Sequence, residues 1–110
     1  MDSLDMLRTA ASGMDAQRAA LDVFARNVAA SQAAGPKGSY ERFVPQFRLV
    51  DDGGSSRIVY AGAARSSGDD AGVLAEMVSV LNASRAYEAN AAIFEIGKHV
   101  AERTIEMGRV

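Results

Sequence analysis

The chain has no cysteine and no tryptophan, and aromatic residues make up only 6% of it. Without cysteine there is no disulfide framework, no thiolate zinc site and no cysteine nucleophile. Charge of one sign is also missing. Twelve Lys and Arg interleave with fourteen Asp and Glu, for a net charge of −2. That excludes the concentrated positive face of a nucleic-acid binder, and no block of like charges forms a polybasic or polyacidic tail. No stretch approaches the ~18 consecutive apolar residues of a transmembrane helix. The start, Met1-Asp2-Ser3-Leu4-Asp5, places acids where a secretory signal carries a basic and then an apolar block. No cleaved signal peptide is therefore expected, and an extracytoplasmic address would require a dedicated export route.

Chemistry is equally sparse. His99 is the only histidine. With Glu95 and Glu102 nearby it makes a poor metal site, and it reads as a solvated helix residue. A Ser-His-Asp constellation does not assemble around it. Asp51-Asp52 and Asp69-Asp70 lack the alternating ligands of a calcium loop and suit turns and helix caps. Gly35-Pro36-Lys37-Gly38-Ser39 lacks phosphate-loop spacing and follows a helix where a P-loop follows a strand. No catalytic, cofactor-binding or metal residue is assigned, and no enzyme activity is expected.

What the chain does have is small apolar residues. Hydrophobic residues reach 48% of the chain, too many for a disordered tail. Alanine dominates them, and small side chains bury little area each at roughly 25 cal/mol per Å2. Three segments are expected: a helical unit over 1–34, a short β-hairpin and loop insert over 35–70, and a second helical unit over 71–110. In the first, Leu7, Met14, Leu21 and Val28 recur every seven residues. Leu4, Ala11, Arg18 and Ala25 fill the alternate places, a 3-4 spacing that predicts one helical seam over 4–31. Gly35-Pro36 stops it. In the second, Phe43-Val44-Pro45-Gln46-Phe47-Arg48-Leu49-Val50 alternates as a strand. Asp51-Asp52-Gly53-Gly54 turns the chain, Arg57-Ile58-Val59-Tyr60 returns, and Gly62 to Asp70 reads as loop. A lone hairpin is barely stable, so the insert must lean on something. In the third, Val73, Met77, Val80, Ser84, Tyr87, Ala91, Phe94, Ala101 and Ile105 line one helical face, broken by Lys98. Ile93, Ile96, Val100 and Met107 form a second stripe. The fold class is thus mainly α: long N- and C-terminal helices pairing as an antiparallel coiled coil, with a small β-hairpin insert between them. Two stripes on one helix exceed what a single partner covers, and an exposed apolar stripe marks an interaction surface. Leu7, Met14, Leu21, Val28, Met77, Val80, Tyr87, Phe94 and Ile105 are the candidate packing residues.

Ser84-Arg85-Ala86-Tyr87-Glu88-Ala89-Asn90 is the most unusual stretch. By itself it is either an exposed turn with an Arg85–Glu88 pair or a set of directional contacts to neighbouring subunits. Together with Glu76-Met77-Val78 and Glu106-Met107-Gly108-Arg109, it resembles the C-terminal helix of flagellar basal-body rod proteins, nearest to those of the proximal rod. Ala10-Ala11-Ser12-Gly13-Met14-Asp15-Ala16-Gln17-Arg18 is similar to the family's N-terminal helix, and Tyr40-Glu41-Arg42 to the start of its central strands. Asn27-Val28-Ala29 is kept from the family's Asn-rich motif, but Ala30-Ser31-Gln32-Ala33 follows, and the middle is short. The resemblance implies a structural subunit in the periplasmic rod of the basal body. It also implies export by the flagellar type III apparatus without cleavage, and self-assembly with other rod proteins and with copies of itself. Two other readings remain open. A needle or filament subunit of another type III system would do without the Ser84–Asn90 motif. A small helical adaptor or enzyme would carry its own core.

Overall fold

The computed structural model describes residues 3–36, 38–51, 53, 56–66 and 72–108. The chain runs helix, strand, strand, helix: α1 (Ser3–Ala34), β1 (Phe43–Asp51), β2 (Ser56–Arg65) and α2 (Gly72–Gly108). At 1.5 Å per residue, the 37 residues of α2 span about 55 Å. The molecule measures 68 × 24 × 13 Å and has a radius of gyration of 18.1 Å. A compact chain of this length would have one of about 13 Å. It is a sliver, one helix thick in its thinnest direction.

Local chemistry sets the ends of α1. Asp5 lies in its first turn, where a carboxylate meets the positive end of the helix dipole. After Ala34, Gly35 takes a left-handed φ of 77°, which costs glycine little, and Pro36 cannot continue the helix. The expected capping carboxylates Asp69 and Asp70 lie outside the described residues.

The two helices pack antiparallel, with ascending numbers on α1 facing descending ones on α2. Met6 and Leu7 lie against Gly97, Gly13 against Asn90, and Arg18 against Tyr87. The seam between them is made of small residues. Ala10, Ala16, Ala20 and Val23 of α1 are buried with Ala83 of α2. Along α2 the inward positions Glu76, Ala83, Asn90 and Gly97 recur at heptad spacing. The seam centre therefore differs from the one expected on the Leu7–Met14–Leu21–Val28 stripe. All four of those residues are only half-buried, and Arg18 and Ala25 beside them are exposed. Alanine and glycine let the backbones approach so closely that larger side chains are displaced to the rim.

The strands form an antiparallel two-stranded sheet that leans on α1. β2 is longer than the sequence pattern indicates, running through Gly62 to Arg65 where loop was expected. The reason is a bulge. Gln46 pairs with Gly62 but Phe47 with Tyr60, leaving Ala61 as the extra residue. Gly62 takes up the irregularity at φ 109°, a conformation that side-chain-bearing residues resist. The Phe47 and Tyr60 rings meet edge-on at 6.5 Å. Of the alternating face of β1, Pro45 is buried, whereas Phe47 is 43% and Leu49 68% exposed. Where β1 begins, Ser66 N–H donates to Arg42 O at 2.8 Å and closes the base of the hairpin.

Candidate assembly interface

The fold brings the separated sequence motifs into contact with one another. Gly13 lies under the Asn90 side chain so closely that a Cβ there would fall 2.7 Å from Asn90 Oδ1. A methyl there would have to push the Asn90 amide aside. The Asn90 amide is held in turn by donating to Ala86 O at 3.0 Å. One helical turn along, Arg18 donates to the Tyr87 hydroxyl at 3.3 Å, and its guanidinium lies 6.0 Å from the centre of that ring. The hydrogen bond to Tyr87 raises the Arg18 pKa further above its already high value. Arg85 and Glu88, by contrast, are exposed on the side of α2 turned away from α1.

A polar node fastens the hairpin's approach to α2. Glu76 is wholly buried, and its Oε1 accepts from Arg42 Nε at 2.5 Å and from the Tyr40 hydroxyl at 3.1 Å. The same hydroxyl accepts from Gly72 N–H, the first residue of α2, at 3.1 Å. Glu76 Oε2 has no hydrogen-bond partner among the described residues. A buried carboxylate is costly unless a cation and further donors meet it, and Arg42 with Tyr40 supplies both. Glu41 between them points away and pairs with Arg65 at 2.6 Å near the surface. A second polar residue ties the hairpin to α1. Asn27, 1% exposed, donates from Nδ2 to Phe43 O at 2.7 Å, and its Oδ1 accepts from Phe43 N–H at 3.0 Å. Its side chain acts as a strand neighbour for the first residue of β1.

The sequence pattern did not assign these roles to Glu76 and Asn27. One available signal was the seven-residue repeat of Glu76, Ala83, Asn90 and Gly97, which sets a carboxylate in a row of small inward residues. The other was Asn27 inside an otherwise apolar row.

The packing residues expected from sequence lie at the margins. Leu7, Met14, Leu21, Val28, Val80, Tyr87 and Phe94 are half-buried, while Met77 and Ile105 are 48% and 58% exposed. Ala25, Val28, Met77 and Val80 line one shallow apolar groove between the helices. Beyond it, Leu74, Val78, Leu81, Ile96 and Met107 of α2 are at least half exposed. Every residue from Glu102 to Gly108 is exposed as well. The seam buries alanines, while several leucines, isoleucines and methionines of α2 are displayed. Among the described residues no acidic, histidine or cysteine cluster could hold a metal ion, and no helix is long and apolar enough to cross a membrane. His99 is exposed, 3.8 Å from Glu102.

No protein-family model matches the chain. It is similar to the flagellar basal-body rod protein FlgC of Aquifex aeolicus, with 29% identity over 130 aligned positions. The match covers 96% of this chain and 97% of that protein. Those positions outnumber the 110 residues here, so the relative carries residues without a counterpart in this chain. Over nearly its full length the chain is thus similar to a flagellar basal-body rod protein, and its fold joins the separated motifs across the helix pair.

Proposed function

We propose that this protein is a structural, non-enzymatic subunit of the flagellar basal-body rod, of the proximal-rod kind. The observation that carries this reading is the inverted burial. Among the described residues of the two helices, the buried apolar side chains are Ala10, Ala16, Ala20, Val23 and Ala83, while Leu74, Leu81, Ile96 and Met107 stand more than half exposed. Each large side chain covered by a neighbour gains about 1.5–3 kcal/mol, so assembly supplies the stabilisation that the single chain forgoes. In this reading Leu7, Met14, Leu21, Val28, Met77, Val80, Tyr87, Phe94 and Ile105 meet other rod proteins and further copies of the chain. Export proceeds through the flagellar type III apparatus without a cleaved signal, and the subunit joins the rod in the periplasm. The Ser84–Asn90 segment favours a rod over a needle subunit, and the small size of the apolar core among the described residues argues against a self-contained adaptor.

The test is motility and basal-body composition in cells whose sole copy carries Leu21→Asp or Phe94→Asp. The expected result is loss of swimming, with the variant still exported and missing from purified basal bodies. Normal swimming by either variant would overturn the assignment of those positions. Absence of the parent protein from purified basal bodies would overturn the function itself.

A further inference from the structure

We propose that the free edge of β1 is a docking site for an extended segment of a partner protein, which adds a third strand to the sheet over α2. The proposal stands apart from the rod reading, since it rests on the hairpin and on one flank of α2. Asn27 takes both backbone groups of Phe43 on the side away from β2, while Arg42 O accepts from Ser66 N–H on the β2 side. Backbone groups alternate between the two edges of a strand, and the extra residue of the bulge lies in β2, so β1 keeps its alternation. The free edge of β1 is therefore lined by the C=O of Pro45 and by the N–H and C=O of Phe47 and Leu49. None of these groups has a partner among the described residues. Asn27 fills the first place along the edge and leaves the others open, a row of acceptors and donors that an added strand matches.

A floor for that strand already exists. Neither strand brings a Cα within 8 Å of one in α2, and the gap between β1 and α2 is a groove of about 340 Å3. Pro45 and Phe47 wall it on one side, and Ser79, Asn82 and Ala86 on the other. Continued at 3-4 spacing, the α2 wall runs on through Ala89, Ile93 and Ile96 to Val100, and from Ala75 to Val100 that row holds no charge. The inward side chains of the added strand must therefore be uncharged. Its outward ones are set by Arg48. Pro45 and Phe47 face the groove, so by alternation Arg48 faces outward. It is exposed and has no ion-pair partner among the described residues, and an acidic residue opposite it supplies one. A second copy of this chain does not fit. Its hairpin comes with α1 packed behind it, and beneath this groove that layer is already taken by α2. The occupant is thus a bare extended segment, alternately apolar and acidic, running antiparallel to β1 in the stronger of the two pairings.

The experiment adds a capped peptide of about seven residues, alternating valine with glutamate, to the full-length chain. So short a strand hides less than the ~1,200 Å2 of stable complexes, so binding is weak and the peptide is titrated to saturation. Amide exchange read by NMR should then slow at least about tenfold at Phe47 and Leu49. It should stay unchanged at Arg48 and Val50, whose amides already pair with β2. A peptide alternating valine with lysine should bind at least about tenfold more weakly, and Arg48→Glu should reverse that order. In the antiparallel pairing the valine nitrogens face β1, so methylating them should abolish binding, whereas methylating the glutamate nitrogens should not. Ala86→Arg, which fills the groove, should abolish binding too, with circular dichroism confirming that the variant keeps its helicity. No slowing at Phe47 and Leu49, equal binding of the lysine peptide, tolerance of methylated valines, or full binding by a helical Ala86→Arg would each overturn the proposal.

Discussion

Removing Arg42 tests how the hairpin is fastened to α2. Glu76 has no exposed surface, whereas the Arg42 side chain is 22% exposed, and the two meet at 2.5 Å. In Arg42→Ala the carboxylate stays buried with only the Tyr40 hydroxyl at 3.1 Å. Breaking one side of such a pair costs about 3–5 kcal/mol, because an uncompensated charge is left in a poor solvent. A domain of this size is held by about 5–15 kcal/mol in all. Near 100 residues, each kcal/mol moves the midpoint by about 4 °C or more, so Arg42→Ala should melt at least about 12 °C lower. Replacing both partners by methionine should restore most of the loss, since a well-packed apolar pair is often as stable as a buried ion pair. The assay is thermal unfolding followed at 222 nm, at one fixed protein concentration so that association does not shift the midpoint. An Arg42→Ala midpoint within about 4 °C of the parent would refute a buried, obligatory pair. So would a methionine pair no better than the single change.

Two other substitutions probe the seam and the hairpin. Gly13→Ala should improve helix propensity by about 1 kcal/mol. It should nevertheless destabilise the chain by about 1–3 kcal/mol in urea unfolding, because the new methyl meets Asn90 at 2.7 Å, and Asn90→Ala added to it should recover part of the loss. Asn27→Ala leaves both backbone groups of Phe43 without their partner. It should cost about 2–4 kcal/mol and speed deuterium exchange at the Phe43 amide ahead of the helix interiors.

Much of the architecture was legible because it is set by local rules. The Gly35-Pro36 stop, the seven-residue periodicity and the alternation in 43–50 each depend on residues close in sequence. What was not legible depends on distance. Leu7, Met14, Leu21 and Val28 have the spacing of a seam, yet the buried positions lie beside them, at Ala10, Ala16 and Ala20. Hydrophobicity ranks leucine above alanine, whereas close helix approach at Gly13 and Gly97 ranks them by size. Loop was expected from Gly62 onward, and a bulge at that glycine carries the strand past it. The burial of Glu76 depends on Tyr40 and Arg42, 36 and 34 residues away, which no local pattern reports.

The 13 Å thickness of the body has a mechanical consequence. A ball of protein has a centre on which everything depends, whereas a sliver is held as a zipper is, tooth by tooth along its length. Trimming the last turns beyond Glu102, which are exposed throughout, removes teeth without opening the rest. A break at Gly13–Asn90 parts the helix pair within its length, whereas one at Arg42–Glu76 frees the hairpin's approach at the end where α2 begins.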